Sequence, residues 1–139
     1  MKRLQLAAEA GDALAQFNLG IMFDHGMDDN EHPRVADRGT AIRWFLSAAK
    51  QGLPRAQLKL AQTYAGEIKD TTHRVEAAAW FLRAAEGSSG ADQYEAQKGF
   101  KRVSAPMSED EIEAARALAR RWAASETYVP EMPTRGRRR

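Results

Sequence analysis

Residues 40–52, TAIRWFLSAAKQG, and residues 76–87, EAAAWFLRAAEG, are two copies of one helix, 36 residues apart when Trp44 is laid on Trp80. A repeat of this period constrains the fold more than any other feature. Each copy has one apolar face that it cannot bury alone, so neighbouring copies must stack. Between them lies a different helix, AQLKLAQTY at 56–64, which repeats AQFNLGIMF at 15–23 with an offset of 41. The unit is therefore a helix A (A-Q-x-x-L-small-x-x-aromatic), a loop, a helix B (A-x-x-W-F-L-x-A-A) and a glycine. The two offsets differ because the loops differ in length.

Helical periodicity accounts for these spacings. Ala15, Leu19 and Phe23 fall four residues apart and form one stripe. Ala41, Trp44, Phe45, Ala48 and Ala49 form a broader core-facing stripe on helix B, which Ala77, Trp80, Phe81, Ala84 and Ala85 repeat. Gly20 and Ala61 leave room for a neighbouring helix. Gly52 and Gly87 stand where a helix end favours positive φ.

These residues resemble the Sel1-like repeats, relatives of the tetratricopeptide repeats. Ala15, Leu19, Gly20, Phe23 and Gly26, then Asp37, Ala41, Trp44, Ala48, Ala49 and Gly52, match one unit. Ala56, Leu60, Tyr64, Gly66, Ala77, Trp80, Ala84, Ala85 and Gly87 match the next. The chain departs from the pattern at Thr40, where a Lys is usual, at His73, which falls where the Asp would be, and in the long first loop. The resemblance covers residues 3–87. It implies an all-α fold, a short right-handed α-solenoid.

The chain then divides into a half unit over 1–11, units over 12–52 and 53–87, a degenerate unit and cap over 88–125, and a basic tail over 126–139. Helices are expected near 2–10, 12–25, 37–51, 54–66, 73–86, 92–103 and 108–125. Residues 27–36 read as a polar loop. In the degenerate unit, Ala96, Gln97 and Phe100 are laid on Ala56, Gln57 and Leu60, which puts Ser104 at the aromatic position. Ser108 and Glu111 form an S-x-x-E capping box that opens the last helix. Its stripe of Ile112, Ala115, Ala119 and Trp122, with charges opposite, suits a terminal cap. The segment beyond Val129 is expected to be disordered.

A hydrophobic content of 43% suffices for a core, and the absence of cysteine excludes disulfides and thiolate metal sites. No run of 18 apolar residues predicts a membrane span. The opening MKRLQLAAEAGDALA mimics an export signal, but Glu9 and Asp12 interrupt its apolar stretch. Leu4, Ala7, Ala8 and Gly11 match Phe45, Ala48, Ala49 and Gly52, which makes it a truncated helix B and the expected location cytoplasmic.

No nucleophile elbow, phosphate loop or dinucleotide fingerprint occurs, so no enzyme, cofactor or small-molecule substrate is expected. The loop DHGMDDNEH, residues 24–32, gathers two His, three Asp and one Glu, which raises a metal site against an ordinary solvated loop. It lacks both the EF-hand order and an H-E-x-x-H motif, which favours the solvated reading. The last ten residues hold four arginines and a net charge of +3, leaving −1 for the other 129. Such a tail offers weak, salt-sensitive attraction to nucleic acid or an anionic surface, and otherwise solubilises.

In an A/B solenoid helix A lines the inner groove. With Ala15, Leu19 and Phe23 in the core, the other stripe holds Leu14, Phe17, Ile21 and His25, answered in the second unit by Arg55, Leu58, Gln62 and Gly66. This concave face is the candidate site for a protein or peptide partner. The alternative is that Leu14, Phe17 and Ile21 pack under the N-terminal helix. The expected function is a monomeric protein-binding adaptor or scaffold. The alternatives are an inhibitor or immunity-type protein of the same fold and a binder acting through the arginine tail.

Overall fold

The computed structural model describes residues 2–26, 36–66 and 70–126. They form seven helices and no strand: α1 (Lys2–Glu9), α2 (Ala13–His25), α3 (Arg38–Gln51), α4 (Pro54–Ala65), α5 (Thr71–Gly87), α6 (Gly90–Ser104) and α7 (Glu109–Ser125). From α1 through to α6 consecutive helices pack on one another, which gives two layers. Helices α2, α4 and α6 are the A helices; α1, α3 and α5 are the B helices. Helix α7 folds back on α5 and reaches α3 at its edge.

The core tracks the repeated stripes. Ala41, Phe45, Ala48 and Ala49 are buried on α3, as are Ala77, Trp80, Phe81 and Ala84 on α5. Burying each aromatic contributes about 1.5–3 kcal/mol. Small residues set how closely the helices approach. A Cβ added at Gly20 would lie 2.7 Å from the Phe45 ring, and one at Gly99 would overlap the Phe81 ring.

Three glutamines tie one unit to the next. The last carbonyls of a helix have no partner within it. Gln16 Nε2 donates to the Ala8 carbonyl at 3.0 Å, Gln57 Nε2 to Ala49 at 3.1 Å, and Gln93 Nε2 to Ala85 at 3.0 Å. Each glutamine lies eight residues after the alanine it serves. This corrects the register of the third helix A. Gln93, not Gln97, answers Gln57; Ala96 then answers Leu60, and Phe100, not Ser104, takes the aromatic position of Phe23 and Tyr64.

Two further expectations change. Gly52 ends α3 at φ 106°, as expected, whereas Gly87 is helical and the α5 cap is Ser88 in extended backbone. Gly87 is small for another reason: a Cβ there would lie 2.8 Å from Cγ of Pro54. The aspartate missing at position 73 is supplied by Asp70. Its side chain accepts from His73 N, as that of Asp37 accepts from Thr40 N, each at 3.0 Å. Helix α5 starts three residues earlier in repeat register than α3, so a search at fixed offset passes over its cap.

At the C-terminal end the Ser108–Glu111 capping box forms with both bonds in place. Ala115 and Ala119 are buried, and Ile112 and Trp122 pack against the core. The cap is an amphipathic helix, as expected, but it closes the flank of α5 rather than lengthening the stack.

Candidate functional site

The corrected register places three residues in each row of the A layer: Leu14, Arg55 and Ala91; Phe17, Leu58 and Tyr94; Ile21, Gln62 and Lys98; His25, Gly66 and Arg102. Leu14 is 49% exposed and lines an open groove of about 590 Å³ against α1, with Arg3, Leu4, Ala7 and Asp12. Phe17 and Ile21 are half-buried against the main core, the Phe17 ring centroid 5.8 Å from that of Phe45. His25, Arg55 and Gln62 are exposed. Leu58 is only 8% exposed and belongs to the core, so it presents little surface.

The sequence reading missed Tyr94, which is 61% exposed on α6. Tyr94, Gln97, Lys98 and Lys101 line a cleft of about 220 Å³, and the Lys98 ammonium lies 5.2 Å from the Tyr94 ring centroid. The spacing of eight from the second alanine of each A-A pair to the next glutamine would have found this register. The dipeptide Ala96–Gln97 imitated the start of a unit and hid it.

Charge runs along the layer in pairs. Asp24 lies 3.8 Å from Arg38 and 3.8 Å from Lys59, which links α2, α3 and α4. Arg55 lies 3.5 Å from Asp92, which links α4 to α6. The Arg55–Asp92 pair is exposed, so it adds little stability and is screened by salt, whereas Asp24 is largely covered. The Tyr64 hydroxyl is pushed up from its ordinary value by burial, with Glu76 adding to it. Among the described residues no group of three His, Asp or Glu could hold a metal ion. Most of the 24–32 loop and the whole arginine tail lie outside the described residues.

The opposite flank holds a built contact. The Trp80 and Trp122 rings stack with centroids 3.9 Å apart and planes at 22°. Arg83 Nε donates to Glu126 Oε2 at 2.8 Å, and a second guanidinium nitrogen donates to Oε1. Gln57 Nε2 adds a bond to Oε2 at 2.7 Å. Both charged side chains are 12% exposed. The bond from Glu126 holds the Arg83 guanidinium above its already high ordinary pKa, so it is permanently charged.

No family model and no curated protein matches the chain. Solved structures do, two of them as follows. One is a protective antigen of uropathogenic Escherichia coli with an SLR fold, 24% identical, TM-score 0.72, covering 89% of this chain and 25% of its own length. This chain thus spans about a quarter of that protein. The other is a Sel1 repeat protein from Oxalobacter formigenes, 26% identical, TM-score 0.60, with 89% of each chain covered. The repeat units, the glutamine ties and these two likenesses agree: the chain has the Sel1-like repeat α-solenoid fold.

Proposed function

We propose that this chain is a non-catalytic interaction module, a monomer that holds another protein or a peptide along its A layer. One observation carries the reading. Of the three large apolar side chains standing open among the described residues, Leu6, Leu14 and Tyr94, two lie on the A-layer stripe. Exposed apolar groups rimmed by polar ones mark interaction surfaces. Here Leu14 stands on α2 at one end of the layer and Tyr94 on α6 at the other, with Arg55 and Gln62 on α4 between them and Lys98 beside Tyr94. Rows of this kind suit an extended peptide or a helix, which needs repeated shallow contacts rather than one deep pocket. The Sel1-like repeat fold serves in general as a protein-interaction scaffold, which supports the same reading.

The test is affinity capture with the intact chain, Leu14→Asp and Tyr94→Asp. Both positions are exposed, so the variants should keep the helical circular dichroism spectrum. Loss of one and the same captured protein in both supports the A layer. Retention in both contradicts it.

A further inference from the structure

Helices α3 and α5 place equivalent residues on their outer flank: Arg43, Trp44 and Ser47 on α3; Ala79, Trp80 and Arg83 on α5. On α5 this flank is covered. Ala79 and Trp80 are buried, the Trp80 ring stacks on Trp122, and Arg83 grips Glu126. On α3 it is open. Arg43 and Ser47 are exposed, Trp44 is half-buried, and these three residues line a cavity of about 290 Å³. Trp44 packs inward on the cluster of Ala8, Ala15 and Leu19, so its ring is held in place while part of it faces outward.

We propose that the Arg43–Trp44–Ser47 face is a docking site for an acidic amphipathic helix that presents an aromatic ring. The molecule contains the template for this complex, since α7 is such a helix seated on the repeat-equivalent face. Charge selects the partner further. Ala79 on α5 is replaced by Arg43 on α3, which adds a cation at the rim. Its guanidinium donates to Thr40 Oγ1 at a long 3.4 Å, and Asp37, which accepts from Thr40, feels the Arg43 charge only as the least of the influences on its carboxyl. A carboxylate on the incoming helix would therefore gain Arg43 as Glu126 gains Arg83. A second copy of this chain is a poor occupant, because its α7 is already seated on its own α5.

The probe is a synthetic peptide of residues 109–126, which holds Trp122, Glu126 and a net charge of −2. Binding to the intact chain is read by anisotropy of the labelled peptide. Saturable binding is expected, weakened about tenfold by Arg43→Glu in the chain, and again about tenfold by Trp122→Ala in the peptide. Ser47→Arg, which copies Arg83, is expected to tighten it. This gain does not depend on a variant that fails to fold. Three results would overturn the proposal: no saturable binding to about 1 mM peptide, a range in which even weak sites fill; binding indifferent to Arg43→Glu and Ser47→Arg, which would mean exchange with α7 on α5; or a dimer of the chain alone that Arg43→Glu dissolves. None of these bears on the A layer, whose test uses Leu14 and Tyr94.

Discussion

Helices α3 and α5 share the sequence A-x-x-W-F-L-x-A-A, yet they live in different surroundings. Phe45 and Phe81 are equally buried, each with its ring against a glycine of an A helix, Gly20 on α2 and Gly99 on α6. Trp44 and Trp80 are not alike: Trp44 is half-buried and Trp80 is 3% exposed. The repeat thus fixes the inward positions, and the helix added after the repeats decides the outward ones. That helix is α7, which covers one copy and leaves the other open.

The largest effects should be the ones the two copies share. Phe45→Ala and Phe81→Ala are each expected to cost ~3–5 kcal/mol in urea unfolding, since both remove a fully buried ring. A large gap between them would break the equivalence of the inward positions. The tryptophans should separate. Trp80→Ala is expected to cost ~3–5 kcal/mol, and Trp44→Ala only ~1–3 kcal/mol, because part of its ring already meets water. Equal costs would mean that α7 adds nothing.

Smaller effects sharpen the comparison. Gly20→Ala and Gly99→Ala each press a methyl into a phenylalanine ring and should cost ~1–3 kcal/mol. Glu126→Ala removes the acceptor for both Arg83 and Gln57 and should cost ~1–3 kcal/mol. It should also raise hydrogen exchange in the last turn of α7 while leaving α2 unchanged.

Acid should act on both copies alike. Asp37 is held below its ordinary pKa chiefly by the Thr40 hydroxyl, and Asp70 chiefly by the His73 backbone N–H. A carboxyl lowered on folding stabilises the fold above its unfolded value near pH ~4, and that contribution is lost as pH falls through the lower folded value. The melting temperature should therefore fall below about pH 4, and Asp37→Asn with Asp70→Asn should flatten that fall. An unchanged slope would remove these caps from the account.

Much of this was legible in the sequence because helix periodicity and repeat spacing are local. All seven helices lie within two residues of their expected ends, and the Ser108–Glu111 box is a four-residue signal. Several of the features that escaped depend on contacts between distant segments. Gln93 does carry its register in its spacing of eight from Ala85, but Ala96–Gln97 imitated a unit start and hid it; Gly87 shows its purpose only beside Pro54, and Asp70 caps a helix that the fixed offset starts too late. Of the residues expected on the partner face, Leu14, His25, Arg55 and Gln62 stand open, and Phe17 and Ile21 stand half open. Leu58 is covered because its helix neighbours close over it. The Trp80–Trp122 stack needed the packed chain to be seen.

A double-mutant cycle tests the central claim most directly, that α7 covers one copy of the repeated tryptophan and not the other. Trp122→Ala would be combined with Trp80→Ala and, separately, with Trp44→Ala, with stability read by urea unfolding. The predicted coupling is ~0.5–1.5 kcal/mol for the stacked pair Trp80–Trp122 and about zero for Trp44–Trp122. Equal couplings, or a larger one with Trp44, would contradict the placement of α7 and the difference it makes between the two copies.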